Sequence, residues 1–343
     1  MKTLTITRPD DWHLHVRNGA ILKTVLPHTA RQFARAIIMP NLKPPVTTVS
    51  QALAYREEIL NALPVGVTFT PLMTLYLTAS TPISEIKKAA DAEHVYAFKL
   101  YPAGATTNSD SGVADIEAIY PLLTALEEQD IPLLIHGEVP DQACDIFDRE
   151  RVFIEASLSK IVNNFPNLRI VLEHVTTIEA VQFVKASGNN IAATITPQHL
   201  LYNRNAILAG GIRPHYYCLP ILKRERHRLA LLEAATSGNP KFFLGTDSAP
   251  HLTTLKETTC GCAGCYSAHA ALELYATAFE TANALDKLEG FASFFGADFY
   301  RLPRNTETVT LTRSTWTIPS TYGDPVNIIT PVNAGEELHW QLQ

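Results

Sequence analysis

The chain has 343 residues, 46% of them hydrophobic and 18% charged, with a formal net charge of −6. That balance describes a globular protein able to bury a sizeable core, and it leaves no general basic surface for nucleic acid. No stretch approaches the length of a membrane span, Met1-Lys2-Thr3-Leu4-Thr5-Ile6 lacks the apolar run of a signal peptide, and the five cysteines suit a reducing compartment, so the expectation is a cytoplasmic protein without nucleic-acid or membrane partners.

The predicted elements alternate. An opening strand near Leu4 to Arg8 is followed by a helical pattern from Gly19 to Phe33 and the short apolar run Arg35 to Asn41. Helix-like Ser50 to Leu63 precedes strand-like Thr68 to Leu77, and Ile83 to Ala92 precedes Val95 to Tyr101. Val113 to Gln129, Ile146 to Phe165, Ile178 to Ser187 and Arg224 to Ser237 read as helices. They lead in turn to the strands Pro132 to His136, Leu168 to His174, Ile191 to Thr196 and Lys241 to Asp247. Eight strands separated by helices, with no linker between them, predict an α/β fold, a (β/α)8 (TIM) barrel. Residues 1–343 are expected to form one domain, with a barrel core over about 4–300 and a short extension over about 301–343. Further helices are expected over Ala268 to Leu285 and near Leu288 to Phe295, with short strands and turns in the tail.

Chemistry gathers at the strand ends. In Asp11-Trp12-His13-Leu14-His15-Val16-Arg17, alternation puts His13, His15 and Arg17 on one face, a metal-binding pincer with a cation beside it. Arg17 next to a metal makes sense if an anionic substrate group lies between them. Lys99, His136, His174 and Asp247 also fall at or just past strand C-termini, which converge on one face of a barrel. Lys99 is the odd member: burial and nearby cations favour its neutral amine, and a neutral amine adds carbon dioxide to give an anionic, bidentate carbamate. Cys260-Gly261-Cys262-Ala263-Gly264-Cys265 lacks a fourth ligand and the paired spacing of structural zinc, and reads as a tight glycine-rich loop. His199 and His215 fall near the same face as candidates for orienting ligands. His28, His94, His227, His269 and His339 are expected at the surface, and Glu138 and Glu173 are expected to turn away from the site.

Over nearly its whole length the chain resembles the shorter, bacterial class of the dihydroorotase family, in the amidohydrolase superfamily. The resemblance rests on the segments Asp11 to Arg17, Met39-Pro40-Asn41-Leu42, Lys99 to Asn108, His136-Gly137-Glu138-Val139, Glu173-His174, Thr196-Pro197-Gln198-His199 and Gly245 to His251, and the cysteine cluster recurs there. It implies a hydrolase of cyclic amides that interconverts N-carbamoyl-L-aspartate and dihydroorotate in pyrimidine biosynthesis. Two zinc ions would be bridged by carboxylated Lys99 and a hydroxide, with His13, His15 and Asp247 on the more buried metal and His136 and His174 on the second. The same resemblance implies Asp247 as general acid and base, and Arg17, Asn41 and His251 as a carboxylate clamp. It places His15, His136 and the backbone of Leu219 and Ala263 against the substrate, Thr106 and Thr107 in a mobile loop, and the chain in a homodimer. Gly104 stands where an asparagine is also seen.

Two other readings compete. A related amidase acting on neutral hydantoins or dihydropyrimidines has no use for the Arg17, Asn41 and His251 clamp. A catalytically silent scaffold is expected to have lost metal ligands, and all six positions are filled.

Overall fold

The apolar runs are short, rich in Val, Ile, Leu and Phe, and buried on both faces, which suits them to a parallel sheet covered by helices. In the computed structural model, which describes residues 2–343, they form eight parallel strands in chain order. These are β2 (Asp10–Leu14), β3 (Arg35–Ile38), β4 (Thr70–Leu77), β5 (Val95–Leu100), β6 (Leu133–Ile135), β7 (Ile170–Leu172), β8 (Ile191–Ile195) and β9 (Phe242–Leu244). The seam between β9 and β2 is closed just beyond the strands, where Asp247 N donates to His13 O at 2.9 Å and His15 N to Ser248 O at 3.1 Å. Asp11 reinforces the seam by accepting from the amide and hydroxyl of Thr246 at 2.9 and 2.5 Å.

One expected element is placed differently. The opening strand is outside the barrel: β1 (Thr3–Thr7) pairs antiparallel with β10 (Thr308–Thr317), which pairs with β11 (Glu337–Leu342). The tail therefore forms a three-stranded sheet with the chain's opening segment, and the first barrel strand is the one that carries His13. Period-2 alternation in Thr3–Thr7 marks a strand without saying which sheet it joins.

The barrel interior is filled by Trp12, Ile37, Met39, Leu72, Ala97, Leu134, Val171, Ala192 and Phe243, with Ala297 and Tyr300 sealing the floor. Trp12 stacks on Tyr300 at 4.6 Å, and a Cβ at Gly296 would lie 2.0 Å from the indole nitrogen, so only glycine lets the floor helix approach this closely. The pairing of β2 with β3 shifts register between Asp11 and Leu14. Through this irregularity two consecutive residues serve the interior, Trp12 packing in the floor and His13 reaching the open end. Among the described residues no helix is long and apolar enough to cross a membrane.

Candidate active site

The inward rows of side chains continue upward into polar residues. Ala97 leads to Lys99 and Tyr101, Leu134 to His136, and Ala192 to Thr194, each two residues on and on the same face. Beyond Phe243 the next two inward positions are Gly245 and Asp247. A Cβ at Gly245 would sit 2.7 Å from Thr194 Cβ and 3.1 Å from His13 Cβ. Arg17, His174 and Asp247 all have left-handed backbone, with φ of 58°, 42° and 43°. Non-glycine residues adopt that region at a cost, which is characteristically met at functional sites.

His13, His15 and Asp247 each offer one donor atom, all within 4.8 Å of one another and all buried. Asp247 Oδ1 lies 3.4 Å from His13 Nε2 and 3.2 Å from His15 Nε2. The His174 ring centres 4.9 Å from those of both His13 and His136, so the expected ligands form one continuous cluster. Burial, with the Arg17 charge close by, pushes His15 down to about 3. Burial also lowers His136, and burial with the neighbouring histidines takes His174 well down. These imidazoles are neutral at pH 7, the form that offers a lone pair to a metal. For Asp247 burial acts upward, but hydrogen bonding from His15 and the nearby histidines and Lys99 outweigh it, holding the carboxyl at about 2 and ionised.

Lys99 is fully buried, and its Nζ has no hydrogen-bond partner; it lies over the Tyr101 ring, 5.1 Å from the centroid. Burial lowers its pKa to about 8. His174 Nδ1, Tyr101 OH and one carboxylate oxygen each of Glu138 and Glu173 are likewise buried without partners. So many unmatched polar atoms in one barrel mouth are costly unless a further group completes them. A donor set of neutral imidazoles, a carboxylate and a free lysine amine fits divalent metal with a carbamate.

Glu138 and Glu173 do not turn away, contrary to the sequence expectation. His136 Nε2 lies 2.9 Å from Glu138 Oε2, and His13 Nδ1 lies 2.8 Å from Glu173 Oε2. Alternation itself explains both: Glu138 is two residues beyond His136, and Glu173 two beyond inward-facing Val171. His174 enters the site only because its left-handed backbone breaks that alternation. Thr194, which the sequence reading passed over, accepts from His174 N at 2.7 Å and donates to Glu173 Oε2 at 2.5 Å. Tyr101 was also recoverable from its period-2 relation to Lys99.

Around the cluster lies a small, tightly closed cavity of about 20 Å³, bounded on its outer side by Arg17, Asn41, Thr106, Thr107, Leu219 and Ala263. Arg17 is buried and donates from Nε to Pro250 O at 3.1 Å. Its other nitrogens lie 3.3 Å from His15 Nδ1 and 3.1 Å from His251 Nε2. No carboxylate among the described residues pairs with Arg17. The Thr106–Thr107 loop is latched down: Asn41 Nδ2 donates to Thr107 O at 3.2 Å, and Thr107 Oγ1 to Ala263 O at 3.3 Å. The same two threonines also line a larger outer vestibule, so they stand between the cavity and solvent.

The remaining histidines divide differently than expected. His199 is buried, donating to Pro220 O at 2.9 Å with Thr196 on its other nitrogen, and thereby steadies the loop carrying Leu219. His215 pairs with Glu257 away from the cluster. His227 and His269 are buried rather than superficial, and His28 and His94 are half-buried, whereas His339 is exposed. The cysteine cluster lies in a loop, as expected, and its thiols are free.

Residues 6–313 match the amidohydrolase family. The chain is 66% identical over 342 residues to a dihydroorotase of Acaryochloris marina, covering 100% of this chain and 99% of the relative, and 65% identical to one of Nitrosococcus oceani. Its fold superimposes on that of a Saccharomyces cerevisiae dihydroorotase bound to 5-fluoroorotic acid with a TM-score of 0.92 at 35% identity, covering 100% and 99% of the two chains. An L-hydantoinase of Arthrobacter aurescens shares the fold, with a TM-score of 0.81 at 14% identity. With the fold, the ligand-type cluster and full-length relatives in agreement, the chain belongs to the dihydroorotases of the amidohydrolase family.

Proposed function

We propose that the protein interconverts N-carbamoyl-L-aspartate and (S)-dihydroorotate plus water, using two zinc ions. His13, His15 and Asp247 would hold one ion, His136 and His174 the other, and Lys99 would bridge them after its neutral amine adds carbon dioxide and releases a proton. Bound there, the metals supply an activated water and polarise the reacting carbonyl.

The chain's own residues do the rest. Arg17 presents its planar fork to the substrate carboxylate, Asn41 adds a neutral donor beside it, and His251 completes the clamp 3.1 Å from the guanidinium. Asn41 Nδ2 gives one hydrogen to Thr107 O and has a second for the carboxylate, so the clamp and the lid share a residue. The backbone of Leu219 and Ala263 borders the cavity where the ring edge would lie. During ring opening Asp247, ionised and facing both His13 and His15, takes the proton of the attacking water. It delivers that proton to the ring nitrogen as the carbon–nitrogen bond breaks. In the synthetic direction the same carboxylate removes the proton from the ureido nitrogen. Closure of Thr106 and Thr107 excludes bulk water. The homodimer implied by the sequence resemblance and the cytoplasmic location expected from the composition belong to this reading.

The observation that carries it is Arg17, a buried guanidinium beside the metal-type cluster with no carboxylate partner of its own. Such a charge is costly unless an anionic ligand completes it. The bound 5-fluoroorotic acid of the yeast relative is a carboxylated pyrimidine. The test is kcat/KM for dihydroorotate against dihydrouracil on the zinc-loaded protein, with a preference of about 10²-fold or more for the carboxylated ring expected. Equal use of both rings contradicts the reading.

A further inference from the structure

Lys256 is a second buried cation near the site. Its side chain is 3% exposed, and no carboxylate among the described residues lies within ion-pair reach. Instead its three ammonium hydrogens meet three main-chain carbonyls: Tyr217 O at 3.0 Å, Cys262 O at 2.8 Å and Gly264 O at 2.6 Å. An ammonium has three donors, so the group is saturated by backbone alone. Burying a charge that nothing neutralises is expensive, and the carbonyls it holds belong to Gly264, which lines the cavity, and to Tyr217 and Cys262, which line the vestibule outside it.

The carbonyls of Cys262 and Gly264 flank that of Ala263. With both neighbours turned toward Lys256, Ala263 O points the other way, where it accepts from His251 Nε2 at 3.1 Å and from Thr107 Oγ1 at 3.3 Å. The segment needs such a fastener, because Gly261 and Gly264 have φ of +48° and +151° and leave the loop conformationally free. The third carbonyl belongs to Tyr217, which also accepts from Gly264 N at 3.0 Å and precedes Leu219 by two residues. Lys256 thus ties together the two loops that supply the cavity's backbone contacts.

We propose that Lys256 is a positioning residue for substrate binding and lid closure: its ammonium fixes the Cys262–Gly264 backbone against Tyr217, so that Ala263 O is aimed at His251 and Thr107. This rests on the substrate placement proposed above. It assigns Lys256 no contact with the reacting atoms or with the metal ligands.

The experiment compares zinc-loaded wild type, Lys256→Met and Lys256→Arg in steady-state dihydroorotate turnover, with metal content and alkylation of Cys262 by iodoacetamide read by peptide mass spectrometry. Lys256→Met is expected to raise KM about tenfold, equivalent to about 1.4 kcal/mol of binding, with kcat changed less than about threefold and metal content unchanged. Cys262, half-buried in the wild type, is expected to alkylate about tenfold faster or more. Lys256→Arg keeps the charge, but its planar fork cannot meet three convergent carbonyls, so it is expected to follow the methionine variant. Wild-type KM in Lys256→Arg overturns the fastening role in favour of charge alone. Unchanged KM and alkylation in Lys256→Met overturn the proposal altogether, as does a fall in kcat with loss of metal at constant KM. Should Lys256→Met fail to fold, Lys256→Gln, which keeps two donors, is expected to show a smaller rise in both readouts, and no rise overturns the proposal. A wild-type protein that does not turn over dihydroorotate refutes the proposed function, and Cys262 alkylation then decides the role of Lys256 on its own.

Discussion

His13 Nδ1 and Glu173 Oε2 lie 2.8 Å apart, so the ring donates to the carboxylate and its Nε2 is left as the lone-pair atom facing Asp247. The same Glu173 oxygen receives the Thr194 hydroxyl, which in turn receives the His174 amide. One carboxylate therefore orients a candidate ligand of each metal. Outer-sphere partners of this kind typically contribute about 10- to 100-fold in metal affinity.

Glu173→Gln keeps the shape and removes the charge. Zinc affinity, measured by competition with a chromogenic chelator, is expected to fall about tenfold or more, with thermal stability of the metal-free protein little changed. Unaltered affinity would show that the bond orients nothing.

Arg17 is expected to act on binding rather than chemistry. Arg17→Met removes the guanidinium and leaves no unpaired protein charge behind, because no carboxylate pairs with it. KM for dihydroorotate is expected to rise about 10²-fold, with kcat changed far less, and steady-state kinetics separate the two. A loss confined to kcat would place Arg17 elsewhere in the mechanism.

Activation should report the Lys99 amine. Burial lowers its pKa to about 8, so the ammonium form dominates below that pH, and only the free amine adds carbon dioxide. At constant dissolved carbon dioxide, the rate at which metal-free protein is activated by zinc is expected to rise about tenfold per pH unit below about 7.5 and to level off above about 8.5. Lys99→Met is expected to hold one zinc ion per chain or fewer by elemental analysis. A flat activation rate, or full metal content in the variant, contradicts the bridging role.

Thr107→Val deletes the hydroxyl that reaches Ala263 O while keeping the β-branched shape. With the latch weakened by one hydrogen bond of about 1 kcal/mol, KM is expected to rise about fivefold, and the dissociation rate of a bound inhibitor to increase in stopped-flow displacement. An unchanged dissociation rate would mean the loop closes without this contact.

Much of the barrel and the gathering of the candidate ligands was legible in the sequence, because both follow from period-2 alternation and from the convergence of strand ends in a (β/α)8 fold. His136 and Lys99 are read directly from inward rows that begin at Leu134 and Ala97. His13 and His174 have the right residue type, but they reach the site through a register shift and a left-handed backbone, neither of which is written in the local pattern. The roles of Glu138 and Glu173 were within reach of alternation, had it been counted from Leu134 and Val171 and not from His174. The sheet that β1 joins was not, since its partners lie some 300 residues away.

The most direct test of the account is dihydroorotate ring opening, followed by absorbance, before chelation, after it, and after zinc and bicarbonate are restored separately and together. Activity is expected to disappear with the chelator and to return fully only when both are supplied, in step with metal content. Activity that survives complete metal removal, or that zinc alone restores in carbon dioxide-free buffer, would contradict a carbamate-bridged metal centre built on Lys99.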